Sequence, residues 1–179
     1  MLDPVTLTYA SSVTLIVSAL LSLALWFLNR RINGVTHWTA SLLLYTFGLI
    51  MLLIVQSHAF NIYTLIGNFC IVFAGLLVLR GTKLFLNATS NTTFVDFLAL
   101  PVFSLLFVYY GYIEEDTQSR IFLVSLMNVL ISCVSIYIAY KYKGAHSQIA
   151  TTLFTSVNFT IVFVSLHRIY FFCIEPSSL

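Results

Sequence analysis

Apolar and polar residues fall in long blocks along this chain. Six apolar blocks, Val5–Leu28, Trp38–Gln56, Ile62–Leu79, Phe94–Tyr112, Ile121–Tyr142 and Ile149–Cys173, are divided by short polar gaps. The gaps, Asn29–Gly34, Ser57–Asn61, Asn87–Thr93, Ile113–Arg120 and Lys143–Ser147, carry the turn and charge signals, among them Arg30, Arg31, Glu114, Glu115 and Asp116. A helix crosses the bilayer core with about 20 mostly apolar residues. A barrel strand would alternate over about ten positions, and runs such as Leu42–Val55 do not. The pattern predicts an all-α integral membrane protein: a bundle of six transmembrane helices forming one domain over residues 1–179.

Composition strengthens this reading. Hydrophobic residues make up 60% of the 179 and charged residues 8%, too few charges to cover a water-soluble domain of such apolar content. Charge sign then sets orientation. Arg30, Arg31, Arg80, Lys83, Lys141 and Lys143 fall at one set of helix ends, while Asp3, Glu114, Glu115, Asp116 and Glu175 fall at the other. Basic loops stay in the cytoplasm, so the N-terminus is expected outside, and an even helix count leaves Leu179 outside as well. Arg120 is the exception, offset by the acidic cluster before it. With no basic stretch ahead of it and Arg30–Arg31 behind it, the first helix reads as a retained anchor. The formal charge of +2 gives no reason to expect a nucleic-acid partner.

Within the bundle, small and weakly polar residues mark contact faces, because lipid tails solvate Leu and Phe well. One stripe holds Ser125, Asn128, Ser132, Ser135 and Ala139; another holds Thr151, Thr155, Asn158, Val162 and Ser165. A third holds Thr64, Asn68, Ile71 and Gly75, and the first helix offers Ser11, Ser18 and Ser22. The third, fifth and sixth helices should form the interior. Packing alone would account for these stripes; the alternative is that some of them line a cavity. On that alternative Asn68, Asn128, His167 and Arg168 ring a ligand site open to the outside. Arg168 with His167 would draw an anionic or carboxylate-bearing ligand, and His167 would make the site pH-sensitive. As an interfacial residue, Arg168 would instead snorkel toward Glu175 or the Glu114–Asp116 cluster.

Other residue types exclude more than they assign. Cys70, Cys133 and Cys173 lie in or at the ends of apolar blocks without metal spacing and read as small buried residues. His37, His58 and His146 lie at helix ends or in loops, so neither haem nor metal is expected. Asp96 should pair locally with Arg80 or Lys83. Pro101 predicts a kink, and Trp26, Trp38, Tyr109, Tyr110, Tyr112, Tyr140, Tyr142 and Tyr170 form an interfacial belt. Asn87-Ala-Thr and Asn91-Thr-Thr match glycosylation sequons on the side assigned to the cytoplasm. No catalytic motif is present, and Ser165 and His167 at i and i+2 point apart on a helix. No enzymatic activity and no cofactor are expected.

Asp3-Pro4 precedes a helix closed by Asn29-Arg30-Arg31, and Gly34-Val-Thr-His37-Trp38 opens the second, which contains Gly48. The third reads Leu65-Ile-Gly67-Asn68, then Ala74-Gly75, and ends Arg80-Gly81-Thr-Lys83-Leu-Phe85. Over roughly Leu2–Leu86 this order resembles the multi-helix N-terminal sensor region of bacterial GGDEF diguanylate cyclases. The motifs are short and cover about half the chain; beyond them only helix order, basic loops and a late Arg agree. The resemblance implies a bacterial inner-membrane location, a cytoplasmic cyclase output and, by analogy, pairing of two copies. GGDEF itself is absent, so the chain is expected to be an excised sensor or a stand-alone relative.

Two functions follow. The first is a membrane-embedded sensor that detects an extracytoplasmic or membrane signal and biases a cytoplasmic partner, with membrane lipid and a small ligand as its other partners. The second is a small-molecule transporter or a subunit of one, built from two inverted three-helix halves. Against the second, the halves do not match in sequence, and no Asp or Glu lies mid-membrane to couple protons.

Overall fold

A computed structural model describes residues 4–54, 62–88, 93–114 and 116–142, together with 155, 156, 158–163, 165–167, 169 and 170. The chain is all-α. Its helices are α1 (Pro4–Asn29), α2 (Val35–Ile54), α3 (Ile62–Phe85), α4 (Thr93–Val108) and α5 (Thr117–Lys141). A π-helical turn, Tyr109–Ile113, continues α4. The described residues between 155 and 170 are also helical and form a last segment, α6.

Among the described residues, three helices are long and apolar enough, by length and composition, to cross a membrane: Val35–Leu52 of α2, Ile62–Phe85 of α3 and Gln118–Lys141 of α5. The chain is therefore a multi-pass membrane protein with three candidate spans. The apolar portions Ile16–Asn29, Leu100–Ile113 and Asn158–His167 are shorter. Large apolar side chains face outward all around the fold. Leu105 is 73% exposed, Phe163 70% and Phe27 67%. In water such a surface would drive association; in hydrocarbon it is the expected exterior.

Local signals explain the helix ends. After α1, Gly34 adopts a φ of 94°, which a side chain would resist, and its carbonyl receives the His37 and Trp38 amides. α3 runs through Arg80 and Lys83 to Phe85, six residues past the predicted end at Leu79. At a rise of 1.5 Å per residue its 24 residues span about 36 Å, longer than the hydrocarbon core of about 30 Å. It ends in a Schellman turn: Ala88 N–H donates to Lys83 O at 2.9 Å, and Asn87 N–H to Leu84 O at 3.3 Å. Asn87 supplies the left-handed residue, with a φ of 50°. Its place in a sequon thus has a backbone explanation. At the acidic end, Asp116 caps α5 by accepting the Gln118 amide at 2.9 Å and the Ser119 hydroxyl.

α3 is the hub, packing most extensively on α2 and also on α5 and α4, while α1 lies against α2. Two glycine pairs bring α2 and α3 together. A Cβ on Gly48 would lie 2.8 Å from Gly67 O, and one on Gly67 would lie 2.9 Å from Gly48 O. Near the basic end Gly34 and Gly81 meet in the same way, with the Trp38 ring against Gly81. Side-chain bonds reinforce the seam: the Ser41 hydroxyl donates to Ala74 O at 2.7 Å, and Trp38 Nε1 donates to Thr82 Oγ1 at 3.4 Å. Between α1 and α2, Ser22 meets Thr39 at 3.4 Å, and Trp26 Nε1 donates to Thr36 Oγ1 at 3.1 Å. The core beside this seam holds Val72, Leu79, Phe103, Phe107, Val124 and Ile138.

The small-residue stripes point inward where the structure describes them. Ser125, Ser132, Ser135 and Ala139 of α5 are buried, as are Asn158 and Ser165 of α6. Cys70 is buried, but Cys133 is exposed on the apolar surface, contrary to the expectation of a buried thiol. The reason is helical phase, since Cys133 follows the buried Ser132 by one position and so leaves the contact face. Arg120, the charge exception, is 6% exposed. Its Nε donates to Asp116 O at 3.3 Å, so the acidic cap lies one turn away from it. α4 continues through Pro101, and the Ser104 hydroxyl donates to Leu100 O at 2.7 Å beside it. Asp3, His58, Asn91, Lys143, His146, Arg168, Cys173, Glu175 and the Asp96 side chain lie outside the described residues.

Candidate functional site

A cavity of about 760 Å³ lies among α2, α3, α5 and α6, touched at one side by Ser22 of α1. α2 contributes Trp38, Ser41, Leu42 and Tyr45; α3 contributes residues from Ile71 through Gly75 and Val78 to Thr82. Phe85 and Leu86 lie at the end of that wall, Asn128, Ile131, Ser132 and Ala139 come from α5, and Asn158 with Ile161 from α6. Small residues line it on two walls: Ala74 and Gly75 on α3, and Ser132 and Ala139 on α5.

None of these lining residues is charged. Their polar groups are hydroxyls, carboxamides and the Trp38 indole N–H, and several are committed to the walls. Ser41 donates to Ala74 O, and Thr82 donates to Val78 O at 2.8 Å while accepting from Trp38. Asn128 and Ser132, four residues apart, present their carboxamide and hydroxyl along one face of α5. The cavity extends toward the helix ends that carry Arg80, Lys83 and Lys141. There the Trp38 and Phe85 rings meet at a tilt of 47°, 5.1 Å between centroids.

Of the three described residues among the four predicted for a ligand site, Asn128 lines this cavity and Asn68 and His167 do not. Asn68 is half-buried, and its Nδ2 donates to Thr64 O at 2.9 Å in its own helix. One residue away, Gly67 is in contact with Gly48, so α2 and α3 leave no space between them at that level. His167 is exposed, and Arg168 lies outside the described residues. Asn158, Ser132 and Thr82 were not singled out for the site. Asn158 and Ser132 were legible as stripe members, whereas Thr82 lies beyond the predicted end of its helix.

Comparison with protein-family models, with curated proteins and with solved structures finds no significant match. Among the described residues, no group of three or more His, Cys, Asp or Glu side chains is placed to hold a metal ion.

The acidic end has its own electrostatics. The Ser119 hydroxyl bond holds the Asp116 carboxyl below the usual aspartate range, helped by the Gln118 amide and the Arg120 charge. At the basic end, the Lys141 ammonium lies 5.7 Å from the ring centroids of both Tyr137 and Tyr142, an arrangement suited to an interface.

Proposed function

We propose that this chain is a membrane-embedded sensory domain of six transmembrane helices, with its N-terminus outside and its basic ends in the cytoplasm of a bacterial inner membrane. Its output is a cytoplasmic partner such as a diguanylate cyclase. The observation that supports this reading is the cavity's position. It is walled by α2, α3, α5 and α6 and reaches the Trp38–Thr82–Phe85 cluster at the basic end. A molecule in it would touch α3 and α5 at once and alter their spacing beside the loops that face the output.

Signalling needs two helix arrangements with different affinity for the ligand. The mobile contacts would be those of α5 and α6 across the cavity. The seam between α2 and α3 is closed by reciprocal glycine contacts and would move as a unit.

Fusing the chain to a diguanylate cyclase domain and measuring cyclic-di-GMP in cells tests this reading. Asn128→Leu and Thr82→Val should each shift the output away from that of the parent fusion. Unchanged output in both variants, at equal membrane abundance, would refute the sensor.

A further inference from the structure

We infer that the cavity binds an uncharged single-chain amphiphile, its hydrogen-bonding head at Asn128, Ser132 and Asn158 and its apolar chain directed toward Leu86. This deepens the sensor reading, on which its signalling role rests, but binding itself does not require that reading.

Volume, charge and polarity each narrow the ligand. Ligand sites commonly enclose about 300–1,000 Å³ with mostly apolar walls and a few polar groups, and this cavity measures about 760 Å³. A charged head there would meet no countercharge among the described lining residues, and an uncompensated buried charge is strongly disfavoured. A bare hydrocarbon would leave the α5 carboxamide and hydroxyl unmatched. An ester- or hydroxyl-bearing head answers both conditions, because a carboxamide donates and accepts.

The polar groups are also placed unevenly. Asn128 and Ser132 share one face of α5, and Asn158 is a buried position of α6. Past them toward the basic end the walls offer Val78, Leu86 and Ala139, and the other serine and threonine hydroxyls are already bonded: Ser41 to Ala74 O, Ser22 to Thr39, and Thr82 to Val78 O and Trp38. Head and chain therefore have distinct places, and Trp38 lies at the chain end as an optical reporter.

The test uses the full chain in nanodiscs, with Trp26→Phe leaving Trp38 as the only tryptophan. Three brominated probes share one C18 chain: a monoacylglycerol, the anionic lysophosphatidate and a headless hydrocarbon. Bromine quenches indole on contact. The monoacylglycerol should quench Trp38 saturably, and Asn128→Leu should weaken it by about tenfold, the upper end for one neutral hydrogen bond. Both other probes should bind at least that much more weakly. Gly75→Leu, whose added Cβ meets only the Ile131 side chain, should abolish saturation by filling the space from the α3 wall. It serves if Asn128→Leu fails to fold.

Brominated phosphatidylcholine as bulk lipid separates the two sources of such a chain. Equal, variant-insensitive quenching by it would make the cavity an acyl-chain groove without head recognition and overturn the inference. Tight binding of the lysophosphatidate would overturn it too. Saturable monoacylglycerol binding with an unresponsive cyclase fusion would keep the site and sink the sensor. A responsive fusion without saturable quenching would do the reverse.

Discussion

Replacing Gly48 with Ala probes the seam on which the whole fold is organised. The added Cβ would lie 2.8 Å from Gly67 O and 3.0 Å from the Cys70 Cβ. The first distance falls about 0.6 Å short of ordinary contact, and the nearest atom is backbone, which cannot rotate away. α2 must therefore back off from α3, losing contact along the seam. Overpacking of this kind costs about 1–3 kcal/mol. Alanine also favours a helix by up to about 1 kcal/mol over glycine, so the informative quantity is a difference. Gly75→Ala provides the reference: it gains the same propensity, but its nearest neighbours, at 3.2 Å and beyond, belong to the flexible Ile131 side chain. The Gly48 variant should be less stable than the Gly75 variant by about 1–3 kcal/mol. Gly67→Ala should resemble the former, since its Cβ would meet Gly48 O at 2.9 Å. One outward displacement of α2 relieves both clashes, so the double variant should lose less than the sum of the singles. The assay is equilibrium unfolding in mixed micelles titrated with dodecyl sulfate, followed by tryptophan fluorescence. Equal stability of the Gly48 and Gly75 variants, or strict additivity of the Gly48 and Gly67 changes, would refute the reasoning.

Asp116→Ala removes the α5 cap and should destabilise the protein by about 0.5–2 kcal/mol at pH 7, measured by the same titration. The Asp116 carboxyl is held below its ordinary value, so its contribution is present above the unfolded pKa of about 3.9. That contribution is lost as pH falls through the lower, folded value, and the gap between parent and variant should close in acid. Ser135→Ala should be neutral or stabilising by on the order of 1 kcal/mol, because the Ser135 hydroxyl is buried without a hydrogen-bond partner. A marked loss of stability in that variant would mean the hydroxyl is bonded after all.

The sequence was informative wherever one residue's type decides its environment. Stripe residues such as Ser132, Asn158 and Ser165 turned inward as their spacing predicted, because only a small-residue face lets helices approach closely in lipid. The end of α1 was legible from Asn29–Gly34, and α2 starts right after that gap, at Val35 rather than at the predicted Trp38. The end of α3 was not: Arg80 and Lys83 look like a loop by charge, yet a helix longer than the hydrocarbon runs through Arg80 and carries Lys83 on its last turn. The seam between α2 and α3 was hidden for another reason. Gly48 and Gly67 are single glycines in separate helices, and only the three-dimensional crossing shows that they face each other. The cavity depended on the same crossing. Asn68 and Asn128 look equivalent in sequence, but close approach shuts the level of the first and leaves the second lining open space.

Orientation across the membrane carries the sensing direction, and cysteine accessibility tests it most directly. With Cys70, Cys133 and Cys173 replaced by alanine, single cysteines at Asn33 and Glu114 mark the exposed α1–α2 turn and the acidic end before α5. A membrane-impermeant maleimide applied to intact cells should label the Glu114 position and reach the Asn33 position only after permeabilisation. Labelling of the Asn33 position in intact cells, with the Glu114 position protected, would contradict the account.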